Sequence, residues 1–440
     1  MKSVLTAVLL FFLVVTNMNG QKVFPYETHY VELPNGFKSI LIPMDSPGLV
    51  SYYSVVRTGS RDEWEPGKSG FAHFFEHMMF RGTDRYPGRV YDSIITSIGA
   101  DANAYTDDDL TVYHLNFASE DLEKVMDLES DRFQYLNYSK EQFQTESGAV
   151  YGEYRKGRTS PVSVAFEKLR EIAFTEHTYG HTTIGYEADI KDMPNQFEYS
   201  KSFYKRYYRP ENVILVIAGD LDVAKTTGMI KKYYSSWKPG YVMPEIKPEP
   251  EQKEFRKAEV EYDGKTLPLI LIGFKADAFN VNDKDYMASF AFAELAFGET
   301  SELYKKLVLE EQKVQFVAGW PAMQRDPYLF TIYSMIKNPD DIDYVLSEID
   351  KTIEKFSREL PDAGKLANLI KSSKYSFLMN LDTPENVASS LPPYITLTGD
   401  IKVIDQFYNA LSKITPEDIK NAVGKYFVKE KKNLVVLRGK

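Results

Sequence analysis

The chain has 440 residues, 43% hydrophobic and 26% charged, a balance that excludes an intrinsically disordered protein and exceeds what one hydrophobic core holds. Its net charge of −10, from 53 basic and 63 acidic residues with no sustained basic run, argues against a nucleic-acid partner. Cysteine is absent, which excludes disulfides, thiol catalysis and lipoprotein anchoring.

Residues 1–20 read as a secretory signal peptide. Lys2 is the basic start, Val4 to Val15 is apolar apart from Thr6, and Thr16 to Gly20 is a short polar region with cleavage expected after Gly20. The apolar run is too short to hold as a stable membrane anchor, and no later stretch is long and apolar enough to span. The mature protein is expected to be secreted across the cytoplasmic membrane, into the periplasm or the extracellular medium.

Residues 21–238 are expected to form an N-terminal domain. Thr111 to Phe117 alternates with the period of a half-buried strand, and the Val and Tyr content of Leu49 to Val56 favours another strand. Glu120 to Leu136 has helical periodicity. Residues 239–254 carry four prolines and alternating charge, which no helix interior or central strand accommodates, so the segment reads as an extended linker.

Residues 255–440 are expected to form a second, homologous domain. Leu267 to Phe274 is an apolar strand with Pro268 near its start, where a missing N–H is tolerated. Asp343 to Phe356 and Pro361 to Phe377 are helical in period. Each half closes alike. A helix ends in aromatics (Tyr207-Tyr208; Tyr426-Phe427), then come a polar turn, an Asn (Asn212; Asn433), an apolar strand and a Gly (Gly219; Gly439). Thr415-Pro416-Glu417 has the form of an N-cap with Pro at the first helical position, and Met193-Pro194 sits near the corresponding place. The expected fold class is α+β: two tandem, duplicated α/β domains, each an antiparallel-rich sheet with packed helices, joined by the Pro-rich linker.

The chemistry lies in His73-Phe74-Phe75-Glu76-His77. On a helix, residues four apart share a face, so His73 and His77 can bind one zinc. Glu76, three after His73, leans toward that face and can hold and deprotonate a water without being a ligand. The order is the reverse of His-Glu-x-x-His. Phe74, Phe75, Met78, Met79 and Phe80 indicate burial, and buried polar side chains need the partners that a metal provides. A catalytic zinc takes three protein ligands and keeps one open position. Glu146 and Glu153, two turns apart on a second helical stretch, both qualify as the third ligand, and spacing does not choose between them.

The mature chain resembles the pitrilysin, insulysin and mitochondrial processing peptidase family of inverted-motif zinc peptidases, in its short two-domain branch. Besides the metal motif, the resemblance rests on Phe80-Arg81-Gly82-Thr83, Gly99 to Thr106, Glu146 to Glu153, His177-Thr178-Tyr179-Gly180, Tyr208 to Asn212 and Ser301 to Leu307. It implies one zinc per chain with Glu153 as third ligand, Glu76 as catalytic base and Glu146 as a supporting carboxylate. It further implies that Ala102 to Tyr105 is an edge strand to which an extended peptide substrate adds, with Asn103 and Ala104 as substrate-binding residues and the Asn103 amide aimed at a substrate carbonyl. The family also implies dimers and, in the second half, an Arg and a Tyr that contact the substrate. Here Val308 and Phe316 stand near those positions. A heterodimer with a like-folded subunit supplying Arg and Tyr is therefore expected, with a homodimer as the alternative. The rival to a zinc endopeptidase is a non-catalytic peptide-binding or scaffolding subunit of the same fold. His177 and His181 read as a loop pair, His114 and His29 as structural, and Asp107-Asp108-Asp109 as a solvated turn.

Overall fold

The computed structural model describes residues 22–440, so the signal peptide expected at residues 1–20 lies outside the described residues. The first sheet contains β1 (His29–Glu32), β2 (Lys38–Pro43), β3 (Leu49–Val56), β4 (Asp101–Thr106), β5 (Thr111–Ala118) and β6 (Val213–Gly219), in the order β1-β2-β6-β3-β5-β4. The second contains β7 (Arg256–Tyr262), β8 (Leu269–Ala276), β9 (Val314–Trp320), β10 (Tyr328–Ile336) and β11 (Lys432–Gly439), in the order β7-β11-β8-β10-β9.

The two sheets repeat one plan. Without β1, the first order maps strand for strand onto the second. Each sheet is antiparallel except for one parallel pair, β2 with β6 and β7 with β11. Central β6 is buried at every position, which accounts for its unbroken Val-Ile-Leu-Val-Ile-Ala run. The strand expected from residue 267 begins at Leu269, just after Pro268. The expected helices appear as Leu122–Tyr135, Ile342–Arg358 and Ala363–Met379.

Sequence periodicity does not show which sheet a helix covers, and two segments cover the sheet of the other half. Helix Pro161–Ala173 belongs to the first half by sequence, yet Val164, Ala165, Leu169 and Ala173 pack with Leu269, Leu271, Leu329, Val435 and Leu437 of the second sheet. In return, Val387 and Ala388 on helix Pro384–Ser390, Ile395 on helix Pro392–Thr398 and Leu391 between them pack with Ile40, Ile42, Tyr53, Val55 and Val216 of the first. The reciprocal exchange places two shared apolar cores between the halves.

Residues 239–254 carry no regular secondary structure, and they are pinned to the body. The Glu249 carboxylate accepts the backbone N–H groups of Thr175, Glu176 and His177 at 2.9, 2.9 and 3.1 Å, and lies 3.6 Å from Lys275 Nζ. One expectation is overturned at the other side of this junction. Asp108 and Asp109, read as a solvated turn, are buried. Arg170 donates to both Asp108 oxygens at 2.6 and 3.0 Å, and the Arg325 backbone N–H donates to Asp109 at 2.8 Å. Local composition cannot separate a solvated acidic turn from one neutralised by arginines distant in sequence.

The exchanged helices make independent unfolding of the halves unfavourable. Leu169→Ala, at a buried position facing the second sheet, is expected to cost about 2–5 kcal/mol. It should lower one common transition, detected together by fluorescence probes placed in each half during urea unfolding.

Candidate metal centre

Helix Phe71–Met78 follows a turn that only glycine serves. Gly70 has φ 91°, and a Cβ there would lie 2.6 Å from the Ile184 carbonyl oxygen. Glu63 caps this end, its two oxygens accepting the N–H groups of Gly70 and Ala72 at 2.7 and 2.6 Å. Burial pushes the Glu63 carboxyl pKa well up, and those two amides oppose the shift. The helix is held by aromatic packing, with the Phe74 ring 5.0 Å from Phe143 and Phe75 stacked at 5.3 Å on Phe203. Tyr113 donates to the Phe75 carbonyl at 2.9 Å, fixing the helix to β5.

Phe143 lies on the second helix of the site, Lys140–Gly157. Ser139 caps it, accepting the Gln142 N–H at 3.2 Å while the Gln142 side chain accepts the Ser139 N–H at 2.8 Å. Glu146 and Glu153 face His77 from opposite sides of its ring. Glu153 Oε2 lies 3.4 Å from His77 Nε2 and 3.6 Å from His73 Nε2, whereas Glu146 Oε2 lies 3.6 Å from His77 Nδ1. One ligand atom from each of His73, His77 and Glu153 falls within a 4.8 Å cluster. In a tetrahedral zinc site with bonds of about 2.0–2.1 Å, neighbouring ligand atoms stand about 3.4 Å apart. The donor set suits zinc, and the two distances from Glu153 to the imidazoles, 3.4 and 3.6 Å, are close to that spacing.

The two imidazoles are electrostatically unlike. Burial, followed by the neighbouring His77, lowers the His73 pKa to about 4. The His77 pKa is raised, chiefly by Glu146. Glu146 is itself held by Arg81 at 2.7 Å. Arg81 was not singled out from sequence as part of the site, although it stands one turn beyond His77. Glu63 gave no local signal, because its role depends on the turn that returns the chain to the helix.

Glu76 projects toward β4, where Thr106 donates to its carboxylate at 2.6 Å. Burial raises the Glu76 pKa, while the Thr106 bond and His77 oppose the rise. β4 ends the sheet, so its outer backbone edge is free of strand partners among the described residues. Ala102 and Ala104 share the Thr106 face and pack into the core around the metal helix. Asn103 lies on the opposite face, opposite His114 in register, and its side-chain oxygen accepts the Ala104 N–H at 2.9 Å.

The remaining histidines lie apart from this cluster. His177 Nε2 lies 3.1 Å from Asp326, His181 Nε2 lies 3.8 Å from Glu63, His114 stacks at 4.9 Å on Tyr53, and His29 is 3.4 Å from Glu27.

Two family models cover most of the chain. Residues 43–187 match Insulinase (Peptidase family M16), and residues 196–372 match the Peptidase M16 inactive domain. The chain belongs to peptidase family M16. Among its M16 relatives, the zinc protease PqqE of Helicobacter pylori is 28% identical over 431 residues, 96% of this chain and 95% of that protein. The crystal structure of a protease from Helicobacter pylori superposes with a TM-score of 0.88 at 26% identity, covering 94% of this chain and 99% of that one. The first half of the periplasmic protease PqqL from Escherichia coli shares the fold, with a TM-score of 0.76 at 18% identity over 95% of this chain and 93% of that one. The "inactive" M16 domain includes the second sheet up to β10, whose helix after β8, Lys284–Phe297, carries no histidine.

The split between the M16 histidines is measurable in metal-free protein. Imidazole NMR titration is expected to show His73 neutral down to about pH 4 while His77 protonates above its usual 6.5. Glu146→Gln removes the main cause of the His77 shift and should move that titration to lower pH, leaving His73 near its original value.

Proposed function

We propose that this M16 chain is an exported zinc metalloendopeptidase that hydrolyses peptides or small proteins, with one zinc per chain held by His73, His77 and Glu153. The observation that carries the reading is the convergence of those three ligand atoms within 4.8 Å beside Glu76, which Thr106 holds at 2.6 Å. Zinc, when bound there, supplies Lewis acidity toward the scissile carbonyl and makes water acidic enough to lose a proton near neutrality.

The chain's own residues do the rest. Glu76 accepts a proton from the attacking water and passes it to the leaving amine, and burial brings its pKa closer to neutrality, where a proton can be both taken and released. The Glu146 carboxylate, 3.6 Å from His77 Nδ1, favours a proton on that nitrogen and leaves Nε2 facing Glu153. A substrate segment adds to the open edge of β4 through main-chain hydrogen bonds, next to Asn103 and Ala104. Because β4 lies against the metal helix, a peptide on that edge is carried past Glu76.

Export is supported by the signal-like residues 1–20 and by a fold shared with a protease described as periplasmic. Among the described residues, no helix is long and apolar enough to cross a membrane.

The second half supports a division of labour between subunits. Val308, near the position where the family places Arg, packs at the edge of the second core, and the Phe316 ring packs against Tyr333 at 4.7 Å. Neither side chain donates to a carbonyl. Lys306 is held by Glu348 at 2.5 Å and is not a free substitute. We therefore assign this chain as the metal-bearing member of a heterodimer whose like-folded partner supplies Arg and Tyr, in preference to a homodimer.

Metal analysis and turnover separate the roles. Glu153→Gln is expected to lose most of the zinc, and Glu146→Gln to weaken binding about 10- to 100-fold. Glu76→Gln should keep zinc and fold while losing hydrolysis, because an amide cannot accept the proton. Full zinc occupancy after Glu153→Gln, or normal turnover after Glu76→Gln, contradicts the assignment.

The partner is tested by assay. The purified chain alone should turn over about 100- to 1000-fold more slowly than a mixture with a like-folded M16 subunit from the same source, the usual cost of a missing oxyanion donor. Full activity of the isolated chain rules the heterodimer out.

A further inference from the structure

Arg61, Asp62 and Glu63 are consecutive charged residues, and they are only 8%, 1% and 4% exposed. Burying adjacent charges is strongly unfavourable unless each finds a partner. Here the partners lie in two directions. Arg61 and Asp62 face the loop between β9 and β10 of the second half. Arg325 Nη2 donates to Asp62 at 2.9 Å, and Asp326 accepts from Arg61 Nε at 2.5 Å and lies 3.1 Å from His177 Nε2. Glu63 faces the other way and caps the first turn of the metal helix through Gly70 and Ala72, immediately before His73.

The segment between these contacts has little freedom. A Cβ on Gly59 would lie 2.2 Å from the Asp107 carbonyl oxygen, so the chain runs tightly along the β4–β5 turn. Arg61 N donates to the Asp108 carbonyl at 2.8 Å, while Asp109 of the same turn accepts the Arg325 amide at 2.8 Å and the Tyr179 hydroxyl at 2.8 Å. Asp62 cannot shift without moving Glu63, and Glu63 cannot shift without releasing the turn that carries His73.

We infer that the β9–β10 loop of the histidine-free half sets the metal helix through Arg61-Asp62-Glu63, which makes Arg325 and Asp326 positioning residues for the zinc site. The inference rests on the zinc reading above. Metal affinity falls by the fraction of molecules whose ligands are in place, so a lock that keeps the first helical turn formed raises affinity without touching the metal. It also gives the second half a role at a site to which it contributes no ligand.

The test is zinc affinity of folded protein, measured by competition with a chromogenic chelator. Arg325→Met and Asp326→Asn are expected to weaken binding about two- to thirtyfold, the range for residues along a coupled network, and Arg325→Lys to restore part of the loss. A purely structural role would lower the melting temperature of metal-free protein and leave zinc affinity unchanged, which would overturn the inference. Hydrogen exchange on the unmutated protein gives an independent readout. Adding zinc should slow the Arg325 amide as well as residues 70–78, and protection confined to the two ligand helices would overturn the lock. Unmutated protein that takes up no zinc overturns the zinc reading itself. Unmutated protein that binds zinc while the variants bind it equally tightly overturns the lock alone.

Discussion

The contact between helix Phe71–Met78 and helix Lys140–Gly157 is the constraint on which the site depends. Two ligand candidates lie on the first helix and the third on the second, so their separation is set by how closely the helices pack. Phe74 against Phe143 sets that approach at 5.0 Å between rings. Phe75 on Phe203, with the Tyr113 bond to the Phe75 carbonyl, fixes the first helix over the sheet. Interiors packed at crystal-like density do not adjust smoothly, so the 3.4 and 3.6 Å separations of Glu153 from the two imidazoles are built into the aromatic core.

Around that contact, polar groups are arranged by side. Glu146 and Arg81 occupy the Nδ1 side of His77, and Glu153 occupies the Nε2 side. Glu76 is turned away to Thr106 on the edge strand. One carboxylate thus faces Nδ1 of His77, one faces Nε2 and one faces the edge strand, and each is distinguished by its neighbours and not by residue type. The open edge of β4 lies along the same side.

The second half repeats the plan of the first and differs in chemistry. The helix that follows β8 takes the place of the metal helix in the repeat and carries no histidine. What that half contributes is structural cover and charge. Helix Pro161–Ala173 crosses to its sheet, helices Pro384–Ser390 and Pro392–Thr398 cross back, and Arg325 and Asp326 neutralise charges buried beneath the metal helix. Duplicated halves that exchange helices cannot drift apart as free domains do, which suits a site built on the relative placement of two helices.

The amino-acid sequence alone determined what depends on short-range geometry. His73 and His77 share a face because residues four apart on a helix always do, and β3 and β5 were legible from their residue types and alternation. The similar endings of the two halves foreshadowed the repeated sheet order, because strand and turn patterns are local. Only the tertiary structure decided which carboxylate of Lys140–Gly157 meets which nitrogen of His77, since both lie on one helical face and the choice depends on the packing of a second helix. It also decided that Asp108 and Asp109 are buried, that Glu63 is a cap and that two helical segments change sheets. Three of these result from partners far away in the chain, Arg170 for Asp108, Arg325 for Asp109 and the opposite sheet for the exchanged helices, while Glu63 depends on the Gly70 turn that brings the helix start back to it. A buried charge has the same local sequence as a solvated one, and only the arrival of its counter-charge separates them.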